Sequence, residues 1–195
     1  MTPPNPSQAL PGLPDLVDRC RQALADEPSA EDAVERLVPL LRDMLALGGD
    51  PDAFACSDEG YTRHLVHEQH DPPFSLYTMV WRPGQWTPVH DHGAWGIVGV
   101  LEGELHEESY CPASACGEEE NGGLRCNVRV TLSPGSVVGF TAPPDLVHRT
   151  GSPEKGARTV SMHMYGAEMG SFHVYDKETG ERRPHEAEQI SHVAE

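Results

Sequence analysis

The chain has 195 residues, a length that favours a single domain with some additions. Its 31 acidic side chains against 14 basic ones give a formal net charge of −17, which repels phosphate backbones and anionic lipid surfaces. The sequence has no apolar run long enough to span a membrane and no basic, apolar leader. We therefore expect a cytoplasmic protein that binds neither nucleic acid nor membranes.

The N-terminal part of the chain predicts helices. Residues 1–12 are rich in proline and indicate a flexible leader. Apolar residues at helical spacing then fill residues 13–24, and a second stripe begins after Ser29, an N-cap residue, and ends at a pair of glycines. Pro39 lies inside this stripe and should kink it. We expect residues 13–50 to form two short helices packed on one side of the domain that follows.

From Tyr61 onward the hydrophobic period changes to two, which indicates β-strands. The connections are too short for helical crossovers, so the pattern favours an all-β sandwich or jelly-roll barrel. We expect this domain to span residues 51–180, with an exposed acidic excursion at residues 111–126. Residues 181–195 should form a charged, partly ordered tail. The predicted strands cover residues 61–67, 74–81, 95–101, 104–110, 127–132, 136–140, 146–150, 158–165 and 171–175.

The cysteines do not predict a disulfide framework. Five cysteines are an odd number, which is not typical of a secreted disulfide-rich protein, so reduced thiols are expected. Those in the acidic excursion lack the Cys-x-x-Cys spacing of a zinc knuckle. We interpret Cys111, Cys116 and Cys126 as loop thiols.

The densest chemical signal is a His-Asp-His segment at residues 90–92. Residues two apart in a strand point to the same side, so His90 and His92 can present their imidazoles to one divalent transition metal ion. In a chain with 11 histidines this pair alone is weak evidence. The flanking residues strengthen it, because residues 84–103 resemble the first cupin motif: a glycine, five residues, His-x-His and a closing glycine.

Residues 143–148, Pro-Pro-Asp-Leu-Val-His, resemble the second cupin motif, with Asp145 where glycine is usual. The resemblance implies a mainly β fold, a cupin jelly-roll barrel of the double-stranded β-helix type, with the N-terminal helices packed outside. It also implies that His148 is a third metal ligand. Gly96 stands where most cupins supply a carboxylate ligand. Three neutral histidines would leave a ferrous ion its full charge and open positions, which favours anionic ligands such as a thiolate.

The resemblance narrows to the cysteine dioxygenase type I family of thiol dioxygenases, in its bacterial form. It is carried, in order, by residues 61–66 (Tyr-Thr-Arg-His-Leu-Val), 90–92, 148–149, 161–165 (Ser-Met-His-Met-Tyr) and 173–180. Enzymes of this family use non-heme Fe(II) to transfer both atoms of O2 to a small thiol, producing a sulfinic acid. The resemblance therefore implies Fe(II) as cofactor, and O2 and a small carboxylate-bearing thiol as substrates.

The resemblance also implies the residues that bind metal and substrate. His90, His92 and His148 hold Fe(II). Arg63 pairs with the substrate carboxylate, to which its planar fork can make two charge-assisted hydrogen bonds. Tyr61 supports the substrate pocket.

Ser161, His163 and Tyr165 form the catalytic group that the resemblance implies. They are two residues apart, so alternation places all three on one face of a strand. The methionines between them need an apolar face, so the polar side should point into the barrel. An ordinary phenol is protonated at neutral pH, which makes Tyr165 a hydrogen-bond donor rather than a general base. Animal members crosslink this tyrosine to a cysteine, but Gly96 occupies that position, so no thioether is expected.

Arg63 stands where relatives that act on 3-mercaptopropionate tend to have glutamine, which favours L-cysteine as substrate and a role in cysteine catabolism. Oxidation of 3-mercaptopropionate or another mercapto acid is the alternative. Two interpretations from other classes also stay open: a non-catalytic metal-binding cupin that senses a small ligand, and a cupin enzyme that uses nickel, manganese or zinc. A monomer or weak homo-oligomer is expected.

Overall fold

The computed structural model describes residues 6–116, 123–141, 147–167, 169–186 and 191–192. It confirms the mainly β prediction, and none of its described helices is long and apolar enough to cross a membrane. The helices are α1 (Pro6–Ala9), α2 (Leu13–Leu24), α3 (Ala30–Ala46) and two 3₁₀ helices at Pro51–Ala53 and Ala113–Cys116. The strands are β1 (Thr62–His70), β2 (Pro73–Trp81), β3 (Val89–His90), β4 (Gly96–Glu102), β5 (Leu105–Pro112), β6 (Leu124–Leu132), β7 (Val137–Phe140), β8 (His148–Gly151), β9 (Thr159–Tyr165), β10 (Ser171–Tyr175), β11 (Arg182–Glu186) and β12 (Ser191–His192).

The strands form two six-stranded sheets, in the orders β12-β1-β2-β9-β4-β7 and β11-β10-β3-β8-β5-β6. Apolar side chains from both sheets share one interior cluster. In it, Tyr77 and Val98 of the first sheet lie with Leu105 and Leu132 of the second. The sheets therefore enclose a common interior, as the predicted cupin jelly roll requires.

The outer face of the first sheet is covered by α2 and α3. Leu37 and Leu41 of α3 lie in one buried cluster with Ile97 of β4 and Met162 of β9. Gly99 of β4 lets α3 approach closely, because a Cβ there would lie 2.6 Å from Cδ1 of Leu45. The apolar stripe of each helix is thus buried against the sheet, which confirms that the helices pack outside it.

The N-terminus of α3 is formed by the predicted cap. The Ser29 hydroxyl accepts a hydrogen bond from the Asp32 amide at 3.1 Å. Glu31 and Asp32 add negative charge to the first turn, where the helix dipole is positive. The helix continues through Pro39 to Ala46, so the proline does not end it.

The structure differs from the predicted flexible leader. Helix α1 lies within it, with Pro6 in the first turn, where proline is tolerated. Ala9 and Leu10 are buried in the cluster between the helices and the sheet. The Asp50 amide donates a hydrogen bond to the Ala9 carbonyl at 2.7 Å, which ties this segment to the end of the helical region. Residues 1–5 lie outside the described residues.

The acidic excursion predicted at residues 111–126 is shorter in the structure. β5 extends to Pro112 and β6 begins at Leu124, because backbone pairing of these strands does not require apolar alternation. Residues 117–122 lie outside the described residues. The expectation of reduced thiols is wrong for Cys111, which is disulfide-bonded. Among the described residues, Cys20, Cys56 and Cys126 are free.

The tail predicted at residues 181–195 contributes strands. β11 pairs antiparallel with β10, and β12 pairs parallel with β1, so the tail adds an edge strand to each sheet. The side chains of β11 are exposed, so backbone hydrogen bonds rather than an apolar face form this strand. Residues 187–190 and 193–195 lie outside the described residues.

Candidate active site

Three histidines converge between the two sheets. His90 on β3 lies directly opposite His148 on β8, and His92 follows in the turn after β3. All three are buried, and their ligand nitrogens lie within 4.8 Å of one another, so the group could hold a metal ion. The structure therefore brings the predicted ligands together. Residues 142–146, which carry most of the second motif, lie outside the described residues.

The surroundings keep the imidazoles of His90 and His92 neutral. Burial lowers the pKa of His90 and His92 well below its usual value, and the neighbouring histidines lower it further. Nδ1 of His90 donates to the Pro88 carbonyl oxygen at 3.0 Å, which leaves Nε2 with a free lone pair. Neutral imidazole is the form that binds a metal ion, so the site needs no deprotonation step before ligation.

Asp91, between two of the histidines, anchors the His-x-His turn. Its carboxylate accepts hydrogen bonds from the His173 amide at 3.0 Å and from the Tyr175 hydroxyl at 2.7 Å. Its own amide donates to the His173 carbonyl at 3.1 Å. Strand β10 thus holds the turn that carries His92. These contacts lie at the start of residues 173–180, one of the segments that carry the family resemblance.

Arg63 on β1 places a guanidinium in the same pocket, which it lines together with the three histidines. The side chain is buried and lies over the Tyr77 ring, with Cζ 4.6 Å from the ring centroid. Nη2 donates to the Met169 carbonyl at 3.1 Å, whereas Nε and Nη1 have no hydrogen-bond partner. A buried guanidinium with two unused N–H directions is suited to an anionic ligand. The sequence analysis did not identify Tyr77 or Met169, because neither contact follows from a motif.

The inner face of β9 carries a hydrogen-bonded chain. Alternation places Ser161, His163 and Tyr165 on this face, as predicted, while Met162 packs under the helices. Oγ of Ser161 lies 2.8 Å from Nε2 of His163, and Nδ1 of His163 lies 3.2 Å from the Tyr165 hydroxyl. Trp81 extends the chain, since its indole N–H donates to Oγ of Ser161 at 2.8 Å.

The donor groups in this series of hydrogen bonds determine which atom donates in each contact. Indole N–H can only donate, so Ser161 accepts from Trp81 and has its own proton left for Nε2 of His163. The opposite tautomer of His163 would leave the buried Ser161 proton without an acceptor, which is costly. His163 therefore carries its proton on Nδ1 and donates it to the Tyr165 oxygen. The Tyr165 O–H proton then remains available to the pocket.

Burial raises the pKa of Tyr165 far above that of an ordinary phenol, so its hydroxyl stays protonated. The ring stacks on His92 at 4.9 Å between centroids. Tyr61 stacks on Trp81 at 4.5 Å, and burial raises its pKa as well. The pocket beside the histidines is lined by Tyr61, Arg63, Met79, Thr87, His90, His92, His148, Thr150, His163, Tyr165, Met169 and Phe172. The pocket thus combines a neutral donor, a cation and three free imidazoles.

Gly96 lies opposite Tyr165 in the pairing of β4 and β9, where the resemblance places the crosslinking cysteine of the animal enzymes. Phe140 fills the space beside Gly96: a Cβ there would lie 2.2 Å from Cζ of Phe140. The Phe140 ring also contacts His92 and His148, with centroids at 4.9 and 5.5 Å. The place of a cysteine side chain is therefore taken by an aromatic ring that packs on two of the three histidines.

Gly96→Ala is expected to lower the free energy of unfolding by about 1–3 kcal/mol, because the added methyl group overpacks against Phe140. The cost should shrink in a Phe140→Ala background, since the two positions share one space. Denaturant unfolding of the two single variants and the double variant measures this coupling. Gly60→Ala is the control, because a Cβ at Gly60 meets nothing within 4 Å. Equal costs for Gly96→Ala in both backgrounds would contradict the steric account.

Acid is expected to destabilise the metal-free protein through His163. Burial lowers the pKa of His163 to about 3, whereas in the unfolded chain it titrates near its ordinary value. Between these values the unfolded state binds more protons, so the free energy of unfolding falls as the pH falls. From pH 8 to pH 5 this residue alone should cost about 2 kcal/mol. The loss should be reduced in His163→Gln, and unchanged in the control His70→Gln at an exposed position.

The model of the family described as cysteine dioxygenase type I matches residues 40–178 of this chain. The chain belongs to the cysteine dioxygenase type I family. The matched range contains every residue that the sequence analysis assigned to the site, and the family prediction is confirmed. Membership and the three buried histidines together support a metal-dependent enzyme of the cupin class.

Solved structures similar to this member of the cysteine dioxygenase type I family are distant in sequence. A protein from Thermus thermophilus is 17% identical, with a TM-score of 0.43 over 57% of this chain and 88% of that chain. A sugar phosphate isomerase of the cupin superfamily from Silicibacter pomeroyi is 15% identical, with a TM-score of 0.41 over 58% of this chain and 62% of that chain. An oxalate oxidase in complex with glycolate is 15% identical, with a TM-score of 0.43 over 57% of this chain and 53% of that chain.

Proposed function

We propose that this protein is an Fe(II)-dependent thiol dioxygenase that converts a small carboxylate-bearing thiol, L-cysteine in the first place, to its sulfinic acid. The observation that carries the proposal is the buried Arg63 guanidinium, whose Nε and Nη1 have no hydrogen-bond partner, in the pocket lined by the three histidines. The fork accounts for a carboxylate at one end of the substrate. Family membership supports a thiol group at the other end of the substrate.

The donor set fits a divalent transition metal ion. His90, His92 and His148 would hold it through neutral imidazoles, and Gly96 supplies no carboxylate. A site without an anionic protein ligand favours an anionic substrate group such as a thiolate. When bound, Fe(II) supplies the redox chemistry by which O2 oxidises sulfur. In the net reaction a thiol and one O2 give a sulfinate and a proton, with both oxygen atoms on sulfur.

The residues around the histidines position the substrate and stabilise the charge that develops during the reaction. Arg63 orients the substrate through its carboxylate, and Tyr61 closes the pocket wall by stacking on Trp81. Tyr165 donates its free O–H to charge that develops on the reacting oxygen or sulfur atoms. His163 and Ser161 hold the tyrosine oxygen in place and keep its proton directed into the pocket.

The proposal is tested by oxygen uptake of anaerobically Fe(II)-loaded protein with L-cysteine and with 3-mercaptopropionate. We expect uptake coupled to a product that is heavier than the thiol by both atoms of ¹⁸O2, with the larger kcat/KM for L-cysteine. A preference for 3-mercaptopropionate would keep the reaction and change the substrate. Thiol binding without uptake would favour a metal-binding sensor, and activity only with nickel, manganese or zinc would replace the iron chemistry. Cytoplasmic location and a place in cysteine catabolism belong to this proposal.

A further inference from the structure

Glu107 lies behind one of the three histidines and belongs to none of the family motifs quoted above. It sits on β5, two residues from Ser109, which pairs with His148 on β8. Such diagonal neighbours on adjacent strands are within reach of a long side chain. Oε2 of Glu107 lies 3.4 Å from Nδ1 of His148, and the glutamate is only 6% exposed. It does not line the pocket, so it reaches the site only through the histidine.

Both atoms of this contact lack any other partner. Oε2 of Glu107 and Nδ1 of His148 are buried, and neither makes a hydrogen bond, so the 3.4 Å approach between them is the one contact that either atom has with an opposite partner. A buried carboxyl group beside a buried imidazole nitrogen is satisfied most directly by an Nδ1–H to carboxylate interaction. Such an interaction would occupy the outer nitrogen of His148 and leave Nε2, which has no partner in the protein, for the pocket.

We propose that Glu107 is a positioning residue that fixes His148 as a metal ligand. Its carboxylate accepts the Nδ1 proton, which sets the tautomer and the ring orientation and makes Nε2 a stronger donor toward the ion. The inference rests on the proposed metal-dependent function. It adds to that function a negative charge behind a ligand in a site where Gly96 supplies no carboxylate ligand.

The three histidines are held differently, which gives Glu107 a distinct role. His90 is fixed by the neutral Pro88 carbonyl. Nδ1 of His92 and Nδ1 of His148 both lack a hydrogen-bond partner, but that of His148 lies 3.4 Å from a carboxylate oxygen. Within the described residues, Glu107 is the one carboxylate in an ion-pair contact with any of the three rings. The negative charge of Glu107 therefore acts on the ion through His148.

The adjacent Glu108 is a matched control. It has the same charge and nearly the same burial, with 8% exposure, but its side chain points to the other face of β5. There its carboxylate accepts hydrogen bonds from Arg149 and Tyr110, both at 2.7 Å. Removing its charge disturbs the same strand without touching a histidine of the site.

The first measurement is metal affinity, by competition of Co(II) and Fe(II) with a chromogenic chelator. Glu107→Ala is expected to bind roughly 10–100-fold more weakly than the unmodified chain, which is the usual cost of losing such a partner. Glu107→Gln keeps an acceptor but no charge and should lie between the two. Glu108→Gln should remain within about threefold of the unmodified chain, as expected for a change outside the site.

The second measurement needs no metal. Long-range ¹H–¹⁵N spectra of histidine-labelled, metal-free protein report the tautomer of His148, assigned with a His148→Gln variant. We expect Nδ1–H in the unmodified chain and in Glu107→Gln, and a mixed or Nε2–H state in Glu107→Ala. If Glu107→Ala does not fold, the loss of affinity in Glu107→Gln decides the matter.

Unchanged affinity and an unchanged tautomer in the Glu107 variants would overturn the inference. An unmodified chain that binds no transition metal would instead overturn the proposed function. In that case the tautomer spectra still decide whether Glu107 holds His148. The two failures are therefore distinguishable.

Discussion

Arg63→Gln is expected to lower kcat/KM for the carboxylate-bearing thiol by roughly two to three orders of magnitude, mainly through a higher KM. The guanidinium is buried over the Tyr77 ring and has two N–H groups without partners. A carboxylate could accept from one of these groups together with the second N–H of Nη2, and glutamine supplies neither the charge nor the fork. Steady-state oxygen uptake over a range of thiol concentrations measures the effect.

The substrate itself provides a second test of the Arg63 prediction. Cysteamine carries the thiol and amine of cysteine but no carboxylate, so the unmodified protein should use it poorly and Arg63→Gln should lose little further rate with it. Arg149→Gln is the matched control, because Arg149 also stacks on an aromatic ring, at 4.5 Å from Trp86, but does not line the pocket. Equal losses with cysteine and cysteamine would show that Arg63 does not bind the carboxylate.

Tyr165→Phe is expected to lower kcat by roughly 10²–10³-fold and to change KM only a few-fold, because one preorganised donor is lost and the ring is kept. The chain from Trp81 through Ser161 and His163 leaves the Tyr165 proton free for the pocket. Burial raises the pKa of Tyr165, so the hydroxyl should remain a donor throughout the neutral and mildly alkaline range. Its ionisation should therefore not appear in the pH profile of kcat.

Tyr110→Phe is the control for the Tyr165 prediction. Tyr110 is a partly buried tyrosine that donates to Glu108 at 2.7 Å outside the pocket. The Tyr110→Phe substitution should leave kcat within about threefold of the value for the unmodified chain. A Tyr165→Phe variant with full activity would show that the hydroxyl has no role in the reaction. A variant with a raised KM alone would assign the hydroxyl to substrate binding.

The local patterns in the sequence predicted most of the fold and part of the site. Alternation in residues 158–165 placed His163 and Tyr165 on the inner face of a strand, and the structure bonds them there at 3.2 Å. The helical spacing of apolar residues predicted α2 and α3. Because the apolar stripe of each helix must be buried, it also predicted that both pack against the domain that follows. The sequence did not predict helix α1 or strands β11 and β12, because they depend on burial and backbone pairing at sites distant in the chain.

The sequence by itself determined which residues can do chemistry. His90 and His92 are recognisable because a metal ion demands particular side chains within a short segment, and Arg63 because it stands in a segment that resembles the family. Only the tertiary structure decided which partners hold them. The Trp81 contact with Ser161 spans 80 positions, and the Glu107 contact with His148 depends on the register of β5 against β8. Register follows from the packing of the whole core, because a slip of one residue would turn each side chain to the opposite face.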